Sequence, residues 1–377
     1  MKVDKTFVQE RNNSIDIFRF LAIFLVTTVH VFEDYLVSIN RVPPLKSFYE
    51  YGAFFNYFNF FALFSKGHSG VRIFFVISGY CLAATSFKKV NVLPFKQFYL
   101  QFFVNRYLRI AIPYIVALIV YYLFHRINSK EFLISLFFLQ NIIVDGNNYG
   151  GISHFWSLCT EIYFYLYFPL IFKFITIKGE RFYLLNSVIV LVALKTILYL
   201  YPNTWMIFRS CELFIFGILL FFYKNKLYDL LFQKPSARVL KPVFFILLLL
   251  VVFYNTGTDY LDHLFVMFID ICIPIIIGSV MAVMIVREEQ QAMSFVDYNS
   301  GVVIKIIIFL GRSSYSIYLY NLSTFFCNIH SDHNVFVQYA FILFLGISMY
   351  FLIEKPSLTI RKYIMQRLSL QRSQQIV

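Results

Sequence analysis

Ten apolar runs constrain this chain more than any other feature: residues 17–36, 69–87, 110–124, 155–175, 182–201, 205–223, 240–254, 263–286, 302–326 and 335–353. A helix needs about 20 apolar residues to cross the hydrocarbon of a bilayer, where its backbone groups must be satisfied within the helix itself. Composition agrees with that use. Of 377 residues, 59% are hydrophobic, 21% aromatic and only 14% charged, with a mean hydropathy of +0.69. Such values exclude a soluble globular domain. The expected fold is all-α, a polytopic membrane bundle of about ten transmembrane helices. Runs 110–124 and 240–254 are short and depend on their flanks to cross. The first run is expected to remain as an uncleaved span, because Val31-Phe32-Glu33-Asp34 offers no small-residue cleavage site.

Lys and Arg collect on the cytoplasmic side of short loops, so their placement sets the orientation. With both termini cytoplasmic, most of the 33 fall on inner segments, including the clusters at 88–109 and 224–241 and the tail after residue 354. Run 132–144 is then no crossing, since counting it would move one of those clusters outside. The expected layout is a single domain over residues 1–377: a cytoplasmic segment 1–16, a ten-span bundle 17–354 and a basic cytoplasmic tail 355–377. The net charge of +13 thus describes topology, and no nucleic acid is expected as a partner. Of the two long outer segments, 32–68 is crowded with aromatics and suits the membrane interface. The other, 126–154, ends in the polar run 145–151, which serves equally as a plain turn or as a surface for a hydrophilic acceptor. Cys81, Cys159, Cys211, Cys272 and Cys327 stand in apolar runs without CxxC spacing and read as small core residues, with no disulfide framework or metal site.

Chemistry is carried by the polar exceptions inside the apolar runs. Arg19 and His30 stand eleven positions apart in the stretch 15–35. On a helix, eleven steps of about 100° return to within about 20° of the start, so both side chains share a stripe about 16 Å apart. Ionisable groups at bilayer depth cost a few kcal/mol and mark function by default; the plain alternative is a snorkelling Arg and a His bonded to a neighbouring helix. His68 and Arg72 lie one turn apart, and Ser78-Gly79 deeper in that run permits a close helix approach or a simple packing notch. Arg106 and Arg109 project together and suit phosphate oxygens, or lipid headgroups. Trp156 marks an interface, and Ser157 and Glu161 lie one turn apart on the same face. Arg209 with Glu212 reads as a structural ion pair, and Asp270 has no evident partner in sequence.

Six runs in this order resemble the acyltransferase-3 family of integral membrane acyltransferases, of the bacterial surface-glycan O-acetyltransferase type. They are Arg19 with His30; Gly-Val-x-Ile-Phe-Phe-Val-Ile-Ser-Gly-Tyr at 70–80; Arg-x-x-Arg at 106–109 ahead of Pro113; Trp-Ser-Leu-x-x-Glu at 156–161; Leu-Gly-Arg-Ser-Ser-Tyr-Ser-Ile-Tyr-Leu at 310–319; and Ile-Glu-Lys-Pro at 353–356. Where that family often has His after the late Tyr-Leu, this chain has Tyr320-Asn321. The resemblance implies a multi-pass protein of the cytoplasmic membrane. Its expected reaction is transfer of an acyl group, usually acetyl from acetyl-CoA, to a hydroxyl of a surface polysaccharide such as O-antigen or capsule, or of a lipid-linked glycan precursor.

The residues fit that reading. Coenzyme A is anionic and cytosolic, so its site is expected at Arg106 and Arg109, with Arg19 steadying the thioester or the coenzyme. His30, roughly 21 Å along the helix from Asp16, is expected to take a proton from the acceptor hydroxyl or to carry the acyl group briefly. Arg72 is the expected oxyanion partner. Glu161 either orients His30 or binds the acceptor, and Ser78, Trp156, Ser157 and Asn321 are expected to line the substrate path. A proton-coupled transporter or flippase is the alternative from another class, against which stands the absence of inverted repeats. A glycan polymerase would want a large Arg-rich outer loop, and segment 32–68 carries only Arg41, Lys46 and Lys66. The enzyme reading requires Arg19 and His30 to face one interior.

Overall fold

The computed structural model describes residues 12–38, 67–143, 150–177, 179–200, 208, 210–233, 260–290, 301–322 and 334–373. Segment 39–66, the polar residues 145–149, Arg209, run 240–254 and Cys327 lie outside those residues, as do the side chains of His68 and Asp270. The described chain is helical. In order it forms α1 (Asn13–Ser38), α2 (Gly67–Val92), α3 (Phe95–Leu123), α4 (Ser129–Leu136), α5 (Gln140–Ile143), α6 (Trp156–Thr176), α7 (Tyr183–Leu200), α8 (Cys211–Tyr228), α9 (Tyr260–Gln290), α10 (Val302–Arg312), α11 (Ser314–Leu319), α12 (Val335–Met349) and α13 (Lys355–Ser373). Among the described residues, five helical stretches are long and apolar enough to cross a membrane: Asn13–Val31, Ser69–Val92, Phe95–Leu123, Ile152–Thr176 and Val335–Arg367.

Helix α1 is central, touching α2, α9, α10, α11 and α12. Its first N–H groups lack partners within the helix and would be costly if buried bare. The carboxylate of Glu288 on α9 supplies them, accepting from Asn13 N at 3.3 Å, Ser14 N at 3.3 Å and Ser14 Oγ at 2.6 Å. Negative charge at that end also suits the helix dipole.

The Ser78-Gly79 pair resolves into two functions. Gly79 is the notch: a Cβ there would stand 2.1 Å from the Phe214 carbonyl oxygen on α8, and one on Gly217 would stand 2.2 Å from that of Val76. Small residues facing each other let the backbones of α2 and α8 touch, as membrane helices require when no hydrophobic force drives them together. Rings do the remaining joining: Phe102 of α3 stacks on Phe168 of α6 at 4.7 Å, and Phe164 of α6 on Phe214 of α8 at 4.1 Å.

Three segments take forms that hydropathy alone obscured. Helix α3 runs for 29 residues from Phe95, well before the apolar stretch at 110–124, because Arg106 turns inward and the count of apolar residues stops short of it. Run 132–144 falls into α4, of 8 residues, and α5, of 4, separated by Phe138 at φ 57°; at 1.5 Å per residue neither can cross. Run 302–326 is interrupted at Ser313, whose hydroxyl bonds the carbonyls of Phe309 at 3.1 Å and Leu310 at 3.2 Å. Such bonding competes with helix continuation, and α10 and α11 are 11 and 6 residues long.

Candidate active site

Where α1, α2, α3, α6 and α11 converge, the bundle holds an open cavity. Arg19 enters it from α1, Ser78 and Cys81 from α2, Arg106 and Arg109 from α3, Ser157, Glu161 and Tyr165 from α6, and Ser314, Tyr315 and Tyr318 from α11. Three guanidinium groups thus face one carboxylate, an excess of positive charge that suits an anionic ligand.

Glu161, Arg106 and Arg19 are each held by hydrogen bonds. Glu161 Oε1 accepts from the Ser78 hydroxyl at 2.7 Å and the Tyr165 hydroxyl at 2.5 Å. Arg106, only 7% exposed, donates from Nη2 to Thr85 Oγ1 at 2.6 Å. A headgroup anchor would point outward, and Arg106 does not. Arg19 donates from Nη1 to Asp16 Oδ1 at 3.3 Å, while its Nη2 lies 3.9 Å from Cys81 Sγ. The second oxygen of Asp16 accepts from Arg312 Nε at 3.0 Å, and Arg312 Nη2 reaches Asn13 Oδ1 at 3.1 Å. Asp16 is fully buried, so it clamps both arginines from below the wall. Glu354, directly after the final apolar run, accepts from Ser316 N at 3.2 Å and Ser316 Oγ at 2.5 Å, tying the end of that run to α11.

A second polar group adjoins the first. Ser157 Oγ and the Tyr318 hydroxyl, both on the cavity wall, lie 2.6 Å apart, and Tyr318 donates its proton to the carbonyl of His154. The His154 ring in turn packs edge-on to His30, with centroids 6.4 Å apart. Arg19 thus stands on the cavity wall, while His30 lies off it against the ring of His154, whose carbonyl takes the Tyr318 proton.

Of the residues expected from sequence, Arg19, Ser78, Arg106, Arg109, Ser157 and Glu161 share the cavity wall. His30, Arg72, Trp156 and Asn321 stand off it. Glu161 bonds Ser78 and Tyr165, and the ring facing His30 is that of His154. Trp156 packs edge-on to Phe75 at 6.1 Å rather than at an interface alone, and Arg72 is half buried on α2. Sequence reasoning missed His154, Tyr165, Tyr315 and Tyr318. His154 had a signal, an ionisable residue directly ahead of Phe155-Trp156-Ser157 at the mouth of an apolar run; the tyrosines were hidden among the 28 in the chain.

No curated protein and no solved structure matches this chain. A family model described as an acyltransferase domain matches residues 12–355, a range that contains every wall residue of the cavity and both facing histidines. The chain belongs to the acyltransferase-3 family.

Proposed function

We propose that the protein carries an acyl group, acetyl in the first instance, from cytosolic acyl-CoA to a hydroxyl of a cell-surface polysaccharide or lipid-linked glycan precursor, within the cytoplasmic membrane. The observation that carries this reading is the wall that gathers Arg19, Arg106 and Arg109 around one cavity. Guanidinium forks match phosphate oxygens in geometry and charge, and coenzyme A brings several. Its long, flexible pantetheine arm can extend from the arginines along Ser157 and Tyr318 toward the histidine pair. The basic mouth is then the cytosolic end.

At the far end the acceptor oxygen attacks the thioester carbonyl. His30 takes the hydroxyl proton, the carbon–sulfur bond breaks, and the thiolate leaves with that proton, giving an ester and free coenzyme A. Arg19, on the wall at the basic mouth, steadies the donor there, and the role of meeting the carbonyl oxygen as charge develops on it stays with Arg72. Glu161, fixed by Ser78 and Tyr165, holds the arginine pair in register with the donor. The family match to an acyltransferase domain favours this enzyme over a carrier.

Thermal unfolding of the detergent-purified chain with and without acetyl-CoA tests the proposal, because a ligand that binds only the native state raises the midpoint. Stabilisation that disappears in the Arg106→Gln/Arg109→Gln double variant is expected. No stabilisation of the wild type, or the same stabilisation in the double variant, would contradict it.

A further inference from the structure

Two more cations stand just beyond the wall at the basic end of the cavity. Lys89 lies on α2, two turns past the wall residue Cys81, and Thr85 between them accepts from Arg106 Nη2 at 2.6 Å. Positions 81, 85 and 89 recur on one helix face, so the stripe that leaves the cavity at Cys81 carries Lys89 about 12 Å further along. Its ammonium is within electrostatic range of Arg106.

Arg361 arrives on α13, which packs along α3. The register of α13 is set at its start, where Glu354 accepts from Ser316 of α11 and the Ser357 hydroxyl donates to the Glu354 carbonyl at 2.7 Å. Ser357 is buried, and Arg361, four residues on, continues the same face. Half-buried there, it is within electrostatic range of Arg109, Arg106 and Tyr165, all three on the cavity wall.

Among the described residues, no carboxylate pairs with Lys89, Arg109 or Arg361. Cations so grouped repel one another, and an anionic ligand relieves that repulsion. The positive groups stand at two levels, however. Arg19, Arg106 and Arg109 line the cavity, whereas Lys89 and Arg361 do not. A ligand that pairs with both levels needs phosphate at two separate points.

We infer that Lys89 and Arg361 form a second phosphate subsite, for the ribose 3′-phosphate of the donor. In coenzyme A the diphosphate joins directly to the pantetheine arm and so falls to the wall arginines, while the 3′-phosphate projects from the ribose as a separate anion. A guanidinium and an ammonium together suit it in charge and in donors. The assignment rests on the proposed acyl-CoA donor and adds its selectivity, for coenzyme A over a thioester whose nucleotide end lacks that phosphate.

Dissociation constants of coenzyme A and of dephospho-coenzyme A, measured on the detergent-purified full chain, test the assignment. The wild type should bind coenzyme A about tenfold more tightly. Lys89→Gln should lower that preference roughly threefold or more, and because its side chain is exposed the substitution leaves packing intact. Adding Arg361→Gln should bring the two constants together. Equal binding of both coenzymes by the wild type, or the wild-type preference retained in either variant, would overturn the assignment and turn both cations over to phospholipid headgroups. The donor reading itself survives those results so long as coenzyme A binds the wild type and not the Arg106→Gln/Arg109→Gln double variant. Absence of binding by either coenzyme would overturn both.

Discussion

Ser78 and Glu161, 83 positions apart, are joined by a hydrogen bond of 2.7 Å across the floor of the cavity. The bond pins α6 to α2 at the level of the arginines and leaves Glu161 facing them. Losing a hydrogen bond to a charged group costs about 1.5–3 kcal/mol, and 1.36 kcal/mol corresponds to about tenfold in rate. Ser78→Ala is therefore expected to lower the melting midpoint by several degrees and, as Glu161 loses its anchor, to lower acyl transfer roughly tenfold. Initial rates and a melting curve on the same preparation read both quantities.

The neighbouring residue acts through packing alone. A methyl group at position 79 would stand 2.1 Å from a backbone oxygen of α8, and backbone cannot turn aside as a side chain does. Gly79→Ala is expected to destabilise by about 1–3 kcal/mol or more through overpacking, seen as a lower melting midpoint and lower yield from the membrane. A wild-type midpoint would show that α2 and α8 separate freely.

Asp16 holds Arg19 on one oxygen and Arg312 on the other. Asp16→Asn leaves two arginines without their shared counter-charge, whereas Arg312→Gln removes a partner whose side chain is 39% exposed and hence screened by solvent. The first should lower the melting midpoint clearly more than the second, and should also raise the acyl-CoA concentration needed for half-maximal rate.

Tyr318 bridges the cavity to the histidine pair through Ser157 and the His154 carbonyl. Tyr318→Phe keeps the ring and removes the bridge. Transfer to the acceptor is expected to fall by roughly an order of magnitude, while stabilisation by acetyl-CoA stays close to wild type. Loss of both would place the hydroxyl in donor binding instead.

Orientation is open to a direct check. With Arg106 and Arg109 at the cytosolic mouth, a phosphatase reporter fused after Asn147 should be active outside the cytoplasm. Cytoplasmic behaviour of that fusion would reverse the bundle.

Much of the site was legible because charge is scarce here. In a chain only 14% charged, Arg19, Arg106, Arg109 and Glu161 stand out from their runs, and all four meet at one cavity. Hydropathy located the long helices α1, α2 and α6 for the same reason. It misjudged α3, since an inward Arg106 lowers the local average as much as an exposed one, and it passed over the break at Ser313, where a single hydroxyl turns the backbone without altering polarity. Tyr165 and Tyr318 were illegible because a phenol counts as apolar until a partner from another helix is known. His154 was visible as a residue but not as the neighbour of His30, a contact between α1 and the segment before α6 that no local pattern encodes.

The O-acetyl content of the surface glycan in cells whose only copy of the protein carries His30→Ala tests the central claim most directly. Transfer through His30 predicts that the O-acetyl signals disappear from the glycan NMR spectrum while the variant accumulates in the membrane at wild-type level. Undiminished signals from that strain would contradict it.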